Sequence, residues 1–343
     1  MDDVRNIATK FSIGKATKIV RFGNGLINDT YLIQTKNNKY ILQKLHSIFK
    51  PSVLADTHNI TRYISDNGLV TPIVVKTANS KLYFKDEKNN YWRMLTYIPG
   101  KCYEEGINSK QAFSAGRLVG QFHDTLSSFY YKFSHKIKDF NNSEAHIIKL
   151  KKTLKKFNDT EKYNALSGLA DYIFKEYGKL GGDLERTPDR IIHGDLKINN
   201  VRFGKNGNAV CLLDLDTLGY GKIVTDMAGA VRTWCNASNE DDIKNSRFNL
   251  KVFENMLKGY LATARFITKK EIKLIPETIK KTILVLMARF IVDAFEEKYF
   301  NLNRALYNNL YEQNNTKAKA QLTLYRDILK KDNKMNKIIR ELI

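Results

Sequence analysis

Cysteine is scarce in this chain, and what there is lies far apart: Cys102, Cys211 and Cys235 are its only three. No C-x-x-C pair or metal-spaced cluster can be drawn from them, which excludes a zinc module or a disulfide scaffold. Reduced thiols and a cytoplasmic setting are the expectation. Long apolar runs are missing too. The longest, such as 283–287, suit a buried helix and fall far short of a membrane span. The chain begins Met1-Asp2-Asp3-Val4-Arg5, without the apolar core of a secretory leader. No internal repeat and no low-complexity linker is present.

Acidic residues are in deficit, 36 against 57 Lys and Arg, leaving a net charge of +21. Such an excess can serve a polyanion. The lysines, however, are spread over the whole length and interleaved with asparagine. The densest run, 149–157, places Leu150, Leu154 and Phe157 on one helical face, the pattern of an amphipathic surface helix. Neither a nucleic acid nor a membrane is expected as partner.

What the chain does have is size and one dense motif. Its 343 residues, 43% hydrophobic and 27% charged, suffice for one large core or two ordinary ones. The motif is His193-Gly194-Asp195-Leu196-Lys197-Ile198-Asn199-Asn200, followed by Asp214-Leu215-Asp216. An apolar approach, Arg190-Ile191-Ile192, runs into it. Strands over 199–203 and 209–213 flank an Asn-Gly turn, so a hairpin brings Asn200 and Asp214 to one end. A carboxylate, an amide five residues on and a second carboxylate are the parts of a phosphoryl-transfer site. Asp195 would accept the proton of an attacking hydroxyl. Asn200 and Asp214 would hold Mg²⁺ through hard oxygen ligands. Asp216 is a further acidic candidate, and His193 is expected to orient the loop.

Periodicity fills in the rest. Strands are expected within 16–45, at 70–76, 81–84 and 91–98, and a helix over 51–67. From 108 onward the pattern is helical: 109–128, one or two helices in 143–180, then 226–236, 247–264, 269–299 and 316–342. His123 and Trp234 read as structural.

The motif resembles the aminoglycoside phosphotransferase and choline kinase superfamily, small-molecule kinases with a protein-kinase-like fold. Residues 23–31, 40–44 and 226–242 resemble its N-acetylhexosamine 1-kinase branch most closely. The resemblance implies an α+β, two-lobed fold, with a small antiparallel-sheet N-lobe over 1–96 and a larger, mainly helical C-lobe over 97–343. It implies ATP and Mg²⁺ as cofactors. The nucleotide would be held by the glycine hairpin at Gly23, Gly25 and Asn28, by Gln43, by the hinge at Thr96 and Ile98, and by Lys197 at the γ-phosphate. It implies a small-molecule acceptor, an amino sugar or amino alcohol. The anomeric hydroxyl of an N-acetylhexosamine is favoured; choline, another amino alcohol or an aminoglycoside is the alternative. Arg232, Asn236, Arg289 and Asp293 are the acceptor candidates, the last two sharing a helix face at a spacing of four. The run Glu240-Asp241-Asp242 could instead serve a cation. A non-catalytic, polyanion-binding reading is opposed by the intact Asp195, Asn200 and Asp214.

One departure stands out. Kinases of this fold pair a strand-three Lys or Arg with a helix carboxylate. Strand parity shared with Ile41 selects Gln43 for the cleft, and the helix over 51–67 offers no Glu. A Gln43–Asn59 amide pair is expected instead; a one-residue slip would present Lys44 with Asp56.

Overall fold

The computed structural model describes residues 2–23, 28–46, 51–134 and 142–343. Gly25 lies outside these. The N-terminal part is an antiparallel sheet. It contains β1 (Lys18–Arg21), β2 (Asp29–Gln34), β3 (Lys39–Lys44), β4 (Val74–Val75), β5 (Phe84–Lys85) and β6 (Tyr91–Thr96), in the order β1-β2-β3-β6-β4 with β5 also on β6. Helix α1 (Asp2–Ala8) precedes it, and α2 (Ser52–Asp66) is inserted after β3. Strand alternation gives the sheet two faces. Ile33, Leu42 and Met94 are wholly buried and pack with Val4, Ile7 and Ala8 of α1. The other face presents Ile41, Gln43, Arg93 and Leu95 to a cleft. The register pairs Ile41 with Leu95 and Gln43 with Arg93.

The chain then crosses to a helical part, where Lys101 and Phe203 exchange backbone hydrogen bonds of 2.9 and 2.8 Å. Helix α3 (Ser109–Ser127) starts at a capping box made by Asn108 and Gln111. α4 (Ser143–Lys156) and α5 (Glu161–Tyr177) follow. Four short strands carry the motif: β7 (Asp189–Ile192), β8 (Val201–Phe203), β9 (Ala209–Leu212) and β10 (Gly219–Lys222). β8 pairs with β9 and β7 with β10, both antiparallel. The chain closes with α6 (Ile223–Trp234), α7 (Leu250–Leu261), α8 (Lys269–Lys273), α9 (Ile275–Glu296) and α10 (Leu310–Leu342). Apolar almost all round, α9 packs against α4, α5, α6 and α10 and forms the centre of the main core.

α3 and α7 cross at glycines. A Cβ on Gly259 would lie 2.0 Å from the Phe113 carbonyl oxygen, and one on Gly116 2.1 Å from that of Met256. Only bare backbone permits this approach.

The expected helix over 269–299 is two helices. It breaks at Leu274, which caps α8, and Pro276 opens α9, where its missing N–H has no role to lose. The final helix begins at Leu310, ahead of the expected 316, because Asn309 caps it. α1 and β10 were not foreseen; β10 contains two glycines and forms through its pairing with β7. Among the described residues no helix is long and apolar enough to cross a membrane.

Candidate active site

The loop that follows β7 is fixed by a buried carboxylate at the start of α6. Asp226, in the first turn of α6, accepts the backbone N–H groups of His193 and Gly194, both at 2.8 Å. His123 Nε2–H also donates to it at 3.0 Å, and the Tyr260 hydroxyl backs His123 Nδ1 at 3.1 Å. Burial pushes the Asp226 carboxyl up, but hydrogen bonding and charge from His123, with further help from His193, hold it below the usual carboxylate range. His123 is structural, as expected.

His193 ties the motif's two halves. Its Nε2–H donates to the Leu213 carbonyl at 2.9 Å, and its Nδ1 accepts the Asp195 N–H at 3.2 Å. These partners assign the proton to Nε2. The Leu213 N–H donates to the Asn200 carbonyl at 2.8 Å, so the hairpin does set Asn200 beside Asp214. Asn200 donates its amide to the Asp195 carbonyl at 2.8 Å and carboxylate at 3.3 Å. Trp234 is core, its indole N–H bonded to the Leu196 carbonyl at 2.9 Å.

The Asp195 carboxylate meets the Lys197 ammonium at 2.7 Å, both about one-third exposed. Desolvation in the cleft pulls the lysine down, but Asp195 and then Asp214 outweigh it, and the net shift is upward. Asp214 adopts a left-handed backbone, φ 60° and ψ 59°. Its carboxyl is enclosed by the cleft walls yet open to the cleft itself. Desolvation and the neighbouring Asp216 and Asp195 raise it, with Lys197 and Arg93 opposing.

These residues lie on one cleft of about 970 Å³ between the sheet and the helices. At the sheet end, Gly23, Asn28, Ile41, Gln43, Leu95, Thr96 and Ile98 line it, and Leu213 lies on its lower wall. The Thr96 hydroxyl accepts the Ile73 N–H at 2.9 Å. Asn28 bridges, accepting the His46 N–H at 2.9 Å and donating to Asp216 at 3.4 Å. Gln43 faces the cleft, but the expected Gln43–Asn59 pair is absent. Asn59 donates to the Tyr131 hydroxyl at 3.1 Å. Gln43 donates to Thr30 Oγ1 at 3.2 Å and accepts Arg93 Nε–H at 2.9 Å. Arg93 in turn grips both carboxylate oxygens of Asp216, one of them at 2.7 Å. Asp216, the further acidic candidate, is thereby engaged by Arg93.

At the other end the cleft is lined by Arg232, Glu240, Arg289, Phe290, Tyr299, Phe300, Asn301, Gln313 and Lys317. Glu240 is held by Arg232 at 2.7 Å and Lys317 at 3.3 Å. Burial raises its carboxyl, but these two charges bring it down to about 2. The Arg289 guanidinium sits over Tyr299 at 4.8 Å and the Lys317 ammonium over Phe290 at 5.7 Å.

Two expected acceptor residues do not line the cleft. Asn236 is buried, accepting the Arg247 N–H at 3.1 Å and donating to Ser246 at 3.4 Å. Asp293, 2% exposed, accepts the N–H groups of Lys298, Tyr299 and Phe300 at 2.8, 2.7 and 3.0 Å, and Asn314 at 3.1 Å. It shapes the loop that presents the aromatics. Of the acidic run only Glu240 reaches the cleft; Asp241 accepts the Tyr307 hydroxyl and Asp242 caps a turn. Arg93, Lys317 and the aromatics were not foreseen. The parity that selected Gln43 also selects Arg93 on the opposing strand, so that signal was available.

The fold is shared with solved small-molecule kinases at low identity. An amicoumacin kinase, solved with AMP-PNP, Ca²⁺ and amicoumacin, superposes with a TM-score of 0.64 at 15% identity, over 93% of this chain and 92% of that one. An aminoglycoside phosphotransferase from Alicyclobacillus acidocaldarius gives 0.64 at 15%, over 96% of both chains. A choline kinase from Cryptosporidium parvum gives 0.58 at 14%, over 97% of both. Residues 18–247 match the family model of the phosphotransferase enzymes. The chain belongs to the phosphotransferase enzyme family, APH.

Proposed function

We propose that this protein is an ATP- and Mg²⁺-dependent kinase that phosphorylates the anomeric hydroxyl of an N-acetylhexosamine. The adenine would lie between Ile41, Leu95 and Leu213, against the backbone at Thr96 and Ile98. Asp195 accepts the acceptor proton as the hydroxyl oxygen attacks the γ-phosphorus and the bond to the β-phosphate oxygen breaks. Lys197, already against Asp195, moderates charge there. The chemistry then rests on positioning and charge neutralisation.

The donor set fits Mg²⁺. The Asp214 carboxylate accepts no hydrogen bond among the described residues, and the Asn200 amide nitrogen is engaged, which leaves its oxygen toward the cleft. The carboxylates crowding Asp214 leave negative charge that a cation relieves. Among the described residues no group of three His, Cys, Asp or Glu side chains is placed to hold a metal. That suits Mg²⁺, which takes one or two carboxylates and completes its shell with phosphates and water. Asn200 and Asp214 would hold the ion, which when bound neutralises phosphate charge. The amicoumacin kinase complex, with an ATP analogue and a divalent cation, supports the same use of the cleft.

The acceptor class rests on one observation: Glu240 is already paired with two cations. An ammonium-bearing acceptor needs a free carboxylate or an open aromatic cage. Here Arg232, Lys317 and Arg289 face the cleft, and three of its aromatic rings, Phe290, Tyr299 and Phe300, carry the protein's own cations. A neutral, acetylated amino sugar fits this lining better than a cation does. The test is an ATP-consumption screen with Mg²⁺ against N-acetylglucosamine, N-acetylgalactosamine, choline, ethanolamine and kanamycin. A sugar 1-phosphate in the phosphorus NMR spectrum supports the proposal. Turnover of amines alone refutes the acceptor and keeps the kinase.

A further inference from the structure

The strand-three lysine of kinases has no equivalent at Gln43, and Lys44 does not line the cleft. The cation is not lost, however; it stands on the neighbouring strand. Gln43 and Arg93 are directly opposed across β3 and β6. Arg93 is 2% exposed and lines the same cleft. A guanidinium carries five N–H donors. The described hydrogen bonds use three: Nε–H to Gln43 and one from each terminal nitrogen to Asp216. Two donors remain. The Gln43 amide is oriented by Thr30, so its oxygen accepts from Arg93 and fixes the guanidinium plane.

We infer that Arg93 is the phosphate-binding cation of the nucleotide site, moved one strand over from strand three and aimed by Gln43 and Asp216. The inference rests on the nucleotide half of the proposed function. It explains the residue at 43. A lysine there would face Arg93 directly across the ladder, and like charges in that relation repel. An amide accepts from one neighbour and donates to the other. The inference also separates the two acids of the Asp214-Leu215-Asp216 run. Asp216 holds Arg93, as a helix carboxylate holds the lysine elsewhere, and Asp214 is left, with Asn200, for the metal.

Arg93→Met alone would strand a buried carboxylate, so the test removes both charges. Affinities for ADP and for adenosine are measured by calorimetry, without divalent cation, on wild type, Asp216→Asn and the Arg93→Met/Asp216→Asn double variant. Circular dichroism melts establish that each is folded. Asp216→Asn, which keeps the guanidinium and releases it from its carboxylate, is the reference from which the loss in the double variant is read. The double variant is expected to lose about tenfold or more for ADP, the worth of a charge-assisted hydrogen bond, while adenosine affinity stays unchanged. A double variant that binds ADP as Asp216→Asn does overturns the inference and leaves the kinase reading intact. Equal losses for adenosine and ADP also overturn it, assigning Arg93 to the frame alone. Wild type that binds no nucleotide sinks the kinase reading itself, and the inference with it.

Discussion

His193 and Leu213 are joined by one 2.9 Å hydrogen bond, from the imidazole Nε2–H to the backbone carbonyl. Asp195 lies two residues beyond the first partner and Asp214 one beyond the second. The proposed base and the proposed metal ligand are therefore tied together by a side chain whose ring is fully buried, alongside the link through Asn200. The chemistry needs both carboxylates at one end of one cleft, and these links place them there.

Asp195→Asn removes the proton acceptor and keeps the shape. It is expected to lower kcat by roughly 10²–10⁴, the usual worth of a positioned general base. Nucleotide affinity should change little. Steady-state kinetics alongside ADP titration check both, and undiminished turnover would refute the assigned role.

Asp214→Asn is expected to separate stability from function. The carboxylate is crowded by Asp216 and Asp195, and Asn tolerates the left-handed backbone. Without divalent cation the variant should melt at or above the wild-type temperature. With Mg²⁺ it should bind ATP more weakly and turn over far more slowly. Paired melts with and without Mg²⁺-ATP read this out.

Asp226→Asn should destabilise by about 1–3 kcal/mol at neutral pH, the range for leaving buried donors without their acceptor. The pH dependence has a definite sign. A carboxyl held below its unfolded value contributes stability that is complete above about pH 4 and is lost as pH falls through its native value. Urea denaturation from pH 7 down to pH 3 should show the wild-type advantage shrinking on the acid side. An advantage constant over that span would show that Asp226 is not the titrating anchor.

Gly259→Ala places a methyl 2.0 Å from the Phe113 carbonyl oxygen. α3 and α7 must separate to admit it, at about 1–3 kcal/mol or more. Because α3 carries His123, the catalytic loop should loosen too. A lower melting temperature with faster amide exchange at His193 and Gly194 is the expected result.

The legible part of the site was the local part. Asp195, Asn200 and Asp214 lie within one loop and one hairpin, so spacing alone places them together. Gln43 followed from strand parity. Asn236 and Asp293 failed for a common reason: each is a polar residue next to a backbone that turns. Asp293 was read by its four-residue relation to Arg289, but it sits at the end of α9. There the next three N–H groups of the chain needed an acceptor more than any ligand did. Helical spacing says which face a residue shares and nothing about the loop that folds back over it. Lys317 came from α10, remote in sequence, and only the packing of α10 on α9 brings it to Glu240.

The opposed pair on β3 and β6 also bears on how degenerate kinases are recognised. A missing strand-three lysine, taken by itself, reads as the mark of a dead active site. By that criterion this chain fails, although its cleft holds a buried guanidinium one rung away. Scoring the two opposed positions as a unit, and asking for one cation between them, would retain such chains and still discard those in which both positions are neutral.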